Sequence, residues 1–453
     1  MPPSLPRSSQ RESASITSNS VSAVTEKKSP PLRLAWLIWG IGALFYLSGY
    51  YLRVSPAVMT TELMRSFQTN AAGLGTLSGI FFYLYVIMQV PTGVLVDSWG
   101  PRKLLTWAGL LAAAGTFLFG ATNNFDLACL GRAIVGGATA VEWLVLLKIG
   151  AHWFPRRRFS TLAGLGLFFG NIGALTAQVP LRLMIVHFGW RGVIIVSGAV
   201  VLMLAVLAWA LVKDDPSDVG YQTYAPLVSE EGRKAKAADL WKGFLKIFGY
   251  RNTWLVFFAQ GGFVGPMIAF TGLWAVPFLT ARFGLKPTTA AAVSSVMIIC
   301  WAVASPICGD LSDRIGRRKP IYLVGGLIST VGWIVMFFVT GLPLTVFIVI
   351  AAITSFSCGA VILGFAYCRE SVPTQYSGTS NAVVNIGNMA GPALLQPAIG
   401  WVLDKEWTGT MANGVHTYGL HAYQLGLLLI VGWSVLAFVL LMFTKETYCK
   451  QQV

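Results

Sequence analysis

The feature that most constrains this chain is the recurrence of apolar runs of about 18 or more residues, each long enough to cross a bilayer as an α-helix. They cover 34–60, 73–96, 103–122, 126–150, 159–183 and 190–212, then 252–281, 288–312, 320–340, 343–368, 376–402 and 422–444. In hydrocarbon no water satisfies backbone N–H and C=O groups, so such runs pair them internally as helices. The expectation is an all-α integral membrane protein with twelve transmembrane helices. Only 11% of the 453 residues are charged, against about 25% in soluble domains, which leaves no room for a sizeable soluble domain.

The polar stretches set the organisation. Residues 1–33 are Ser- and Pro-rich and read as a disordered cytoplasmic tail. Residues 213–251 form a charged cytoplasmic linker between the halves 34–212 and 252–444, and 445–453 form a second tail. The net charge of +15 does not point to nucleic acid, because the basic residues sit in clusters between the runs, not along one face. With the N-terminus inside, Arg102, Lys103, Arg156, Arg157, Arg158, Arg314, Arg317, Arg318, Lys319 and Arg369 fall on one side with the linker. Only Arg53, Arg65, Arg182, Arg191, Arg282, Lys286 and Lys405 fall on the other. That bias places both termini in the cytoplasm, with the bilayer a cytoplasmic (inner) membrane.

The two halves repeat each other. Gly93, Asp97, Gly100, Arg102 and Lys103 recur at an offset of 216 as Gly309, Asp313, Gly316, Arg318 and Lys319. Ser160, Gly170, Asn171 and Pro180 recur at 217 as Ser377, Gly387, Asn388 and Pro397. Parallel repeats about an axis along the membrane normal are a transporter architecture, with substrate held between them near the midplane.

The Gly-x-x-x-Asp-x-x-Gly-x-Arg-Lys loop, present after spans 2 and 8, resembles the signature loop of the major facilitator superfamily. The resemblance implies that fold: two pseudo-symmetric six-helix halves. Gly93 and Gly309 are expected to permit close helix contact, Gly100 and Gly316 a tight turn, and Asp97 and Asp313 to pair with a helix end or an Arg. Together with Arg102 and Arg318 they are assigned to gating. Arg132, followed by Gly136 and Gly137, is similar to a second pattern of the same superfamily.

Residues 50–100 and 148–221 look like the organophosphate:phosphate antiporter group, through Tyr50-Tyr51-Leu52-Arg53, Leu74-Gly75-Thr76-Leu77-Ser78-Gly79, His152-Trp153-Phe154 and Asp215-Pro216. That resemblance implies that Arg53 binds an anionic substrate group. The chain departs from the group elsewhere. No second Arg occurs around Gln260 in span 7, Gln89 stands where a Lys is expected, and Gly170 stands where a His is expected. One guanidinium suits an organic anion or a zwitterion better than a phosphate ester.

The candidate substrate-binding residues are Arg53, Tyr50, Gln89, Tyr83, Asn171, Gln260, Trp274 and Asn388, and Glu142 in span 4 is the candidate proton-coupling carboxylate. Charged side chains within a membrane are costly and mark function. The six cysteines and four histidines show no ligand spacing, and no GxxxxGK[ST] loop is present, so no metal, cofactor or ATP drive is expected. The reading is a non-enzymatic, monomeric secondary transporter of a small organic anion or zwitterion. The alternative is a membrane sensor of an external solute on the same fold.

Overall fold

A computed structural model describes residues 28–224, 246–373, 376–412 and 414–452, without the side chains at 94, 97, 156, 160 and 377. Residues 1–27 of the tail and 225–245 of the linker lie outside the described residues. Among the described residues, eleven helices are long and apolar enough to cross a membrane. Spans 1–6 are Leu32–Val58, Ala71–Gly93, Ser98–Ala121, Phe125–Trp153, Thr161–Phe188 and Trp190–Leu211. Spans 7–10 are Arg251–Phe283, Pro287–Ile315, Lys319–Phe338 and Leu344–Glu370, and span 12 is Leu420–Met442.

Span 11 is the helix Ser377–Lys405, whose 29 residues extend about 43 Å at about 1.5 Å per residue. It is more polar than the others because it is not surrounded by lipid. It packs on span 2 of the other half and on spans 7 and 12 of its own, and Asn385, Asn388 and Gln396 point into protein. The halves meet where span 2 packs on span 11, span 5 on span 8, and the outer end of span 1 on span 7.

Spans 1, 4, 7 and 10, three apart along the chain, are each interrupted. Span 1 becomes a 3-10 turn at Ser55–Val58, span 4 breaks between Thr139 and Glu142, span 7 holds a π-helical turn at Phe270–Trp274, and span 10 a 3-10 turn at Gly359–Ile362. Irregular backbone at membrane depth is tolerated where protein or a cavity surrounds it.

Spans 2 and 3 are two helices that meet at a sharp kink at Gly100, whose non-helical φ of 78° only glycine adopts readily. Gly316, at φ 71°, ends span 8 at the equivalent place.

We call the face bearing Arg102 and Arg318 the inner face, following the charge bias of the sequence, and the opposite one the outer face. At the outer face one continuous apolar core joins both halves, including Val58, Leu63 and Leu77 of the first with Phe270, Trp274 and Leu403 of the second.

Candidate functional site

Span 1 fails as a regular helix for a local reason. Pro56 has no N–H, so the carbonyl of Leu52 has no helical donor four residues on. Arg132 of span 4, only 2% exposed, supplies one: Nη1 donates to Leu52 O at 2.6 Å and Nη2 to Arg53 O at 3.5 Å. Ser55 Oγ adds a bond to Leu52 O at 3.1 Å. The carbonyls on either side of the Leu52–Arg53 peptide bond are thereby tied to span 4.

Arg53 itself is 4% exposed. Its guanidinium carbon lies 4.4 Å from the Tyr50 ring centroid, 4.8 Å from Tyr85 and 5.7 Å from Phe81. These are cation–π distances, and they stabilise the cation without neutralising it. Among the described residues no carboxylate forms an ion pair with Arg53, and its Nε has no hydrogen-bond partner. Glu62, nine residues further on, is engaged elsewhere, paired with Arg182 at 2.6 Å.

Glu142, 4% exposed, is the first residue after the break in span 4. Its carboxyl packs against Gly49, one turn before Arg53, so closely that a Cβ there would overlap it. Arg53 is the charged group whose field acts on it.

Arg53 opens on a narrow cavity between the halves. Tyr50, Arg53, Val54, Asn171 and Ala174 line it from the first, and Ile268, Thr271, Gly272, Ile298 and Trp301 from the second. Its free volume of about 30 Å³ holds no more than a few waters. Trp301 Nε1 has no hydrogen-bond partner, while Asn171 Nδ2 donates to Leu167 O at 2.9 Å.

Of the residues singled out from sequence, Tyr50, Arg53 and Asn171 come together here. The other five do not line the cavity. Tyr83 is 38% exposed on span 2. Gln89 Oε1 accepts from Asn385 Nδ2 of span 11 at 2.9 Å, a polar link between the halves. Gln260 Nε2 donates to Val361 O at 3.1 Å in the break of span 10. Trp274 is enclosed in the outer core and Asn388 is buried beside span 7. The place where the resemblance called for a His is filled by tyrosine: a Cβ on Gly170 would already lie 2.8 Å from the Tyr46 ring.

Sequence reasoning missed Trp301 and Thr271. The repeat contained a signal for the first, since Trp301 is the 216-offset counterpart of Tyr85, which flanks Arg53.

The loop residues form two clusters at the inner face. Arg102 donates from its backbone N to Asp214 at 2.7 Å and from Nε to Trp209 O at 2.8 Å. Arg318 bridges Asp313 at 2.6 Å and the buried Glu370 at 2.8 Å. Glu446 accepts from the backbone N of Arg318 and of Lys319, each at 3.0 Å, so it caps span 9 as Asp214 caps span 3. The side chain of Asp97 lies outside the described residues. Gly93 and Gly309 do not make the close helix contacts expected of them, because a Cβ at either would meet no atom within 4 Å. Lys148 reaches Val96 O at 2.5 Å at the inner end of span 2.

A family model described as Major Facilitator Superfamily matches residues 34–275 and 263–451. The probable galactarate/D-glucarate transporter GarP of Escherichia coli (strain K12) is 25% identical over 403 residues, covering 81% of this chain and 87% of that protein. The probable sulfoacetate transporter SauU of Cupriavidus necator is 24% identical over 308 residues, covering 65% and 69%. Among solved structures, a bacterial homologue of the human lysosomal transporter Spinster, inward-facing and unoccupied, superposes with a TM-score of 0.71 at 18% identity, covering 91% of this chain and 97% of that one. The nucleoside transporter NupG superposes with a TM-score of 0.66 at 16% identity, covering 91% and 100%.

Proposed function

Because the chain belongs to the major facilitator superfamily, we propose that it is a secondary transporter carrying a small organic anion across the cytoplasmic membrane by alternating access, with the anion held on Arg53. The observation that carries this reading is a buried, unpaired guanidinium facing a cavity between the two halves. A desolvated cation without a counter-ion is costly, and a carboxylate offers the planar two-oxygen partner that a guanidinium fits best.

Relatives named for galactarate, D-glucarate and sulfoacetate support a carboxylate-bearing substrate. One Arg engages one carboxylate. The Tyr50 hydroxyl, the Asn171 amide and the Trp301 N–H are placed around the same cavity for the remaining oxygens.

Glu142 is the coupling group in this reading. A proton on Glu142 enters with the anion on Arg53 and offsets one of its negative charges. The Arg102 and Arg318 clusters act in exchange between access states, away from the ligand. The cavity is complete within one chain, so a monomer suffices.

The test is uptake of radiolabelled D-glucarate into proteoliposomes under an inward proton gradient. Saturable uptake that collapses with the gradient, and that Glu142→Gln uncouples while leaving anion exchange, is expected. Ligand-dependent thermal stabilisation without uptake would favour a sensor instead.

A further inference from the structure

The outer face is held shut by more than apolar packing. Span 2 begins at Ala71, and its first amides have no donor–acceptor partner within the helix. Asp404, near the end of span 11 in the other half, supplies both oxygens: Ala71 N donates to Oδ1 at 3.1 Å and Ala72 N to Oδ2 at 2.7 Å. Tyr418, in the segment leading into span 12, ties the same point together. Its hydroxyl donates to Asp404 Oδ1 and accepts from Ala71 N at 3.0 Å. A carboxylate at a helix N-terminus is also favoured by the helix dipole.

The backbone beneath this contact is built for closure. A Cβ on Gly400 of span 11 would overlap Ala71 O, and one on Gly75 of span 2 would lie 2.5 Å from Gln396 O. The two backbones therefore touch directly for more than a turn inside the capped end.

The pseudo-equivalent seam, span 5 against span 8, lacks the device. At the offsets of 217 and 216, Asp404 corresponds to His187 and Ala71 to Pro287. His187 is exposed, and Pro287, the first residue of span 8, has no N–H to offer.

We infer that Asp404 is a latch: by capping span 2 across the two halves it holds the outer face closed, and opening toward the outside requires those hydrogen bonds to break. This rests on the alternating-access reading above. The latch acts on one seam only, that of spans 2 and 11.

The experiment measures the distance between nitroxides placed at Arg65→Cys and Thr408→Cys, both exposed at the outer face, in full-length protein in nanodiscs with the native cysteines replaced. The parent should show a dominant short distance and a minor long one. Asp404→Asn should raise the long population about tenfold, since bonds to a charged acceptor are lost. Tyr418→Phe, which keeps both backbone bonds to Asp404, should move the ratio the same way but less. His187→Asp should leave it unchanged. Two distances with a ratio that neither Asp404→Asn nor Tyr418→Phe alters would overturn the latch and leave alternating access standing. An equal shift from His187→Asp would overturn it too, because surface charge would then be the cause. A single short distance in every variant, with and without D-glucarate and at both neutral and acidic pH, would overturn alternating access itself.

Discussion

Arg132 Nη1 lies 2.6 Å from Leu52 O, the carbonyl that Pro56 leaves without a helical donor. A side chain from span 4 thus completes the backbone of span 1 one residue before Arg53. Arg132→Met removes that donor and should lower stability by about 1–3 kcal/mol, seen as a fall of a few degrees in the thermal midpoint of purified protein. Ligand affinity should fall as well, because the peptide bond that orients Arg53 loses its tie.

Arg53 is the binding cation in our proposal. Arg53→Lys should weaken D-glucarate binding roughly ten- to hundredfold, since an ammonium cannot present two parallel N–H donors. Expression should stay normal. Isothermal titration against D-glucarate and against a neutral polyol of the same length decides the cause: equal losses for both would make Arg53 structural and remove the organic-anion reading.

The two partners of Arg318 should behave differently. Glu370 is 8% exposed and also accepts from Thr447 Oγ1 at 2.6 Å, so Glu370→Ala removes the buried partner of Arg318, leaves it only the exposed Asp313, and should cost about 3 kcal/mol. Asp313 is 67% exposed, and Asp313→Ala should cost less than about 1 kcal/mol. Thermal unfolding of the two variants side by side tests the contrast.

Asp215 gives a pH signature outside the bilayer. Burial works to raise its carboxyl, but hydrogen bonds from His152 at 2.6 Å, from Ser217 and from Thr223 outweigh it and hold it below the ordinary range. A carboxylate depressed in the folded state contributes stability above its unfolded value, about 3.9, and that contribution is lost as pH falls through the folded value. Asp215→Asn should therefore lower the melting point at neutral pH. It should also flatten the loss of stability seen below about pH 4.

The orientation proposed from charge bias is tested by single cysteines in membrane vesicles. Arg157 and Lys405 are both exposed. Arg157→Cys should react with an impermeant maleimide only from the cytoplasmic face and Lys405→Cys only from outside. The reverse pattern would invert the topology.

The fold was legible because its signal is long and redundant: twelve apolar runs, a basic bias and a repeated loop do not depend on any one residue. Even span 11 was found by length, although its Asn and Gln residues lower its hydropathy, since a run bounded by loops still has to cross. The site was half legible. Arg53, Tyr50 and Asn171 stood out because charged and polar groups inside apolar runs are conspicuous. Gln260 and Gln89 stood out for the same reason, yet they bond to Val361 O and to Asn385. A polar residue in a span reveals that it faces protein, not whether that protein is a cavity wall or a neighbouring helix. Gly93 and Gly309 failed differently, since a small residue permits a contact without requiring it. The Asp404 cap was invisible, because it joins residues 333 apart and its donors are backbone amides that carry no side-chain signature.

Asp214 and Glu446 each come from the stretch that follows the last helix of their half, and each caps the third helix of that same half. Neither reaches across. A six-helix unit that seals its own exposed amides can be copied in tandem, since a duplicate brings its own cap and leaves no end for the other copy to repair. The caps at the inner face thus stay within each half, while at the outer face Asp404 of one half caps a helix of the other.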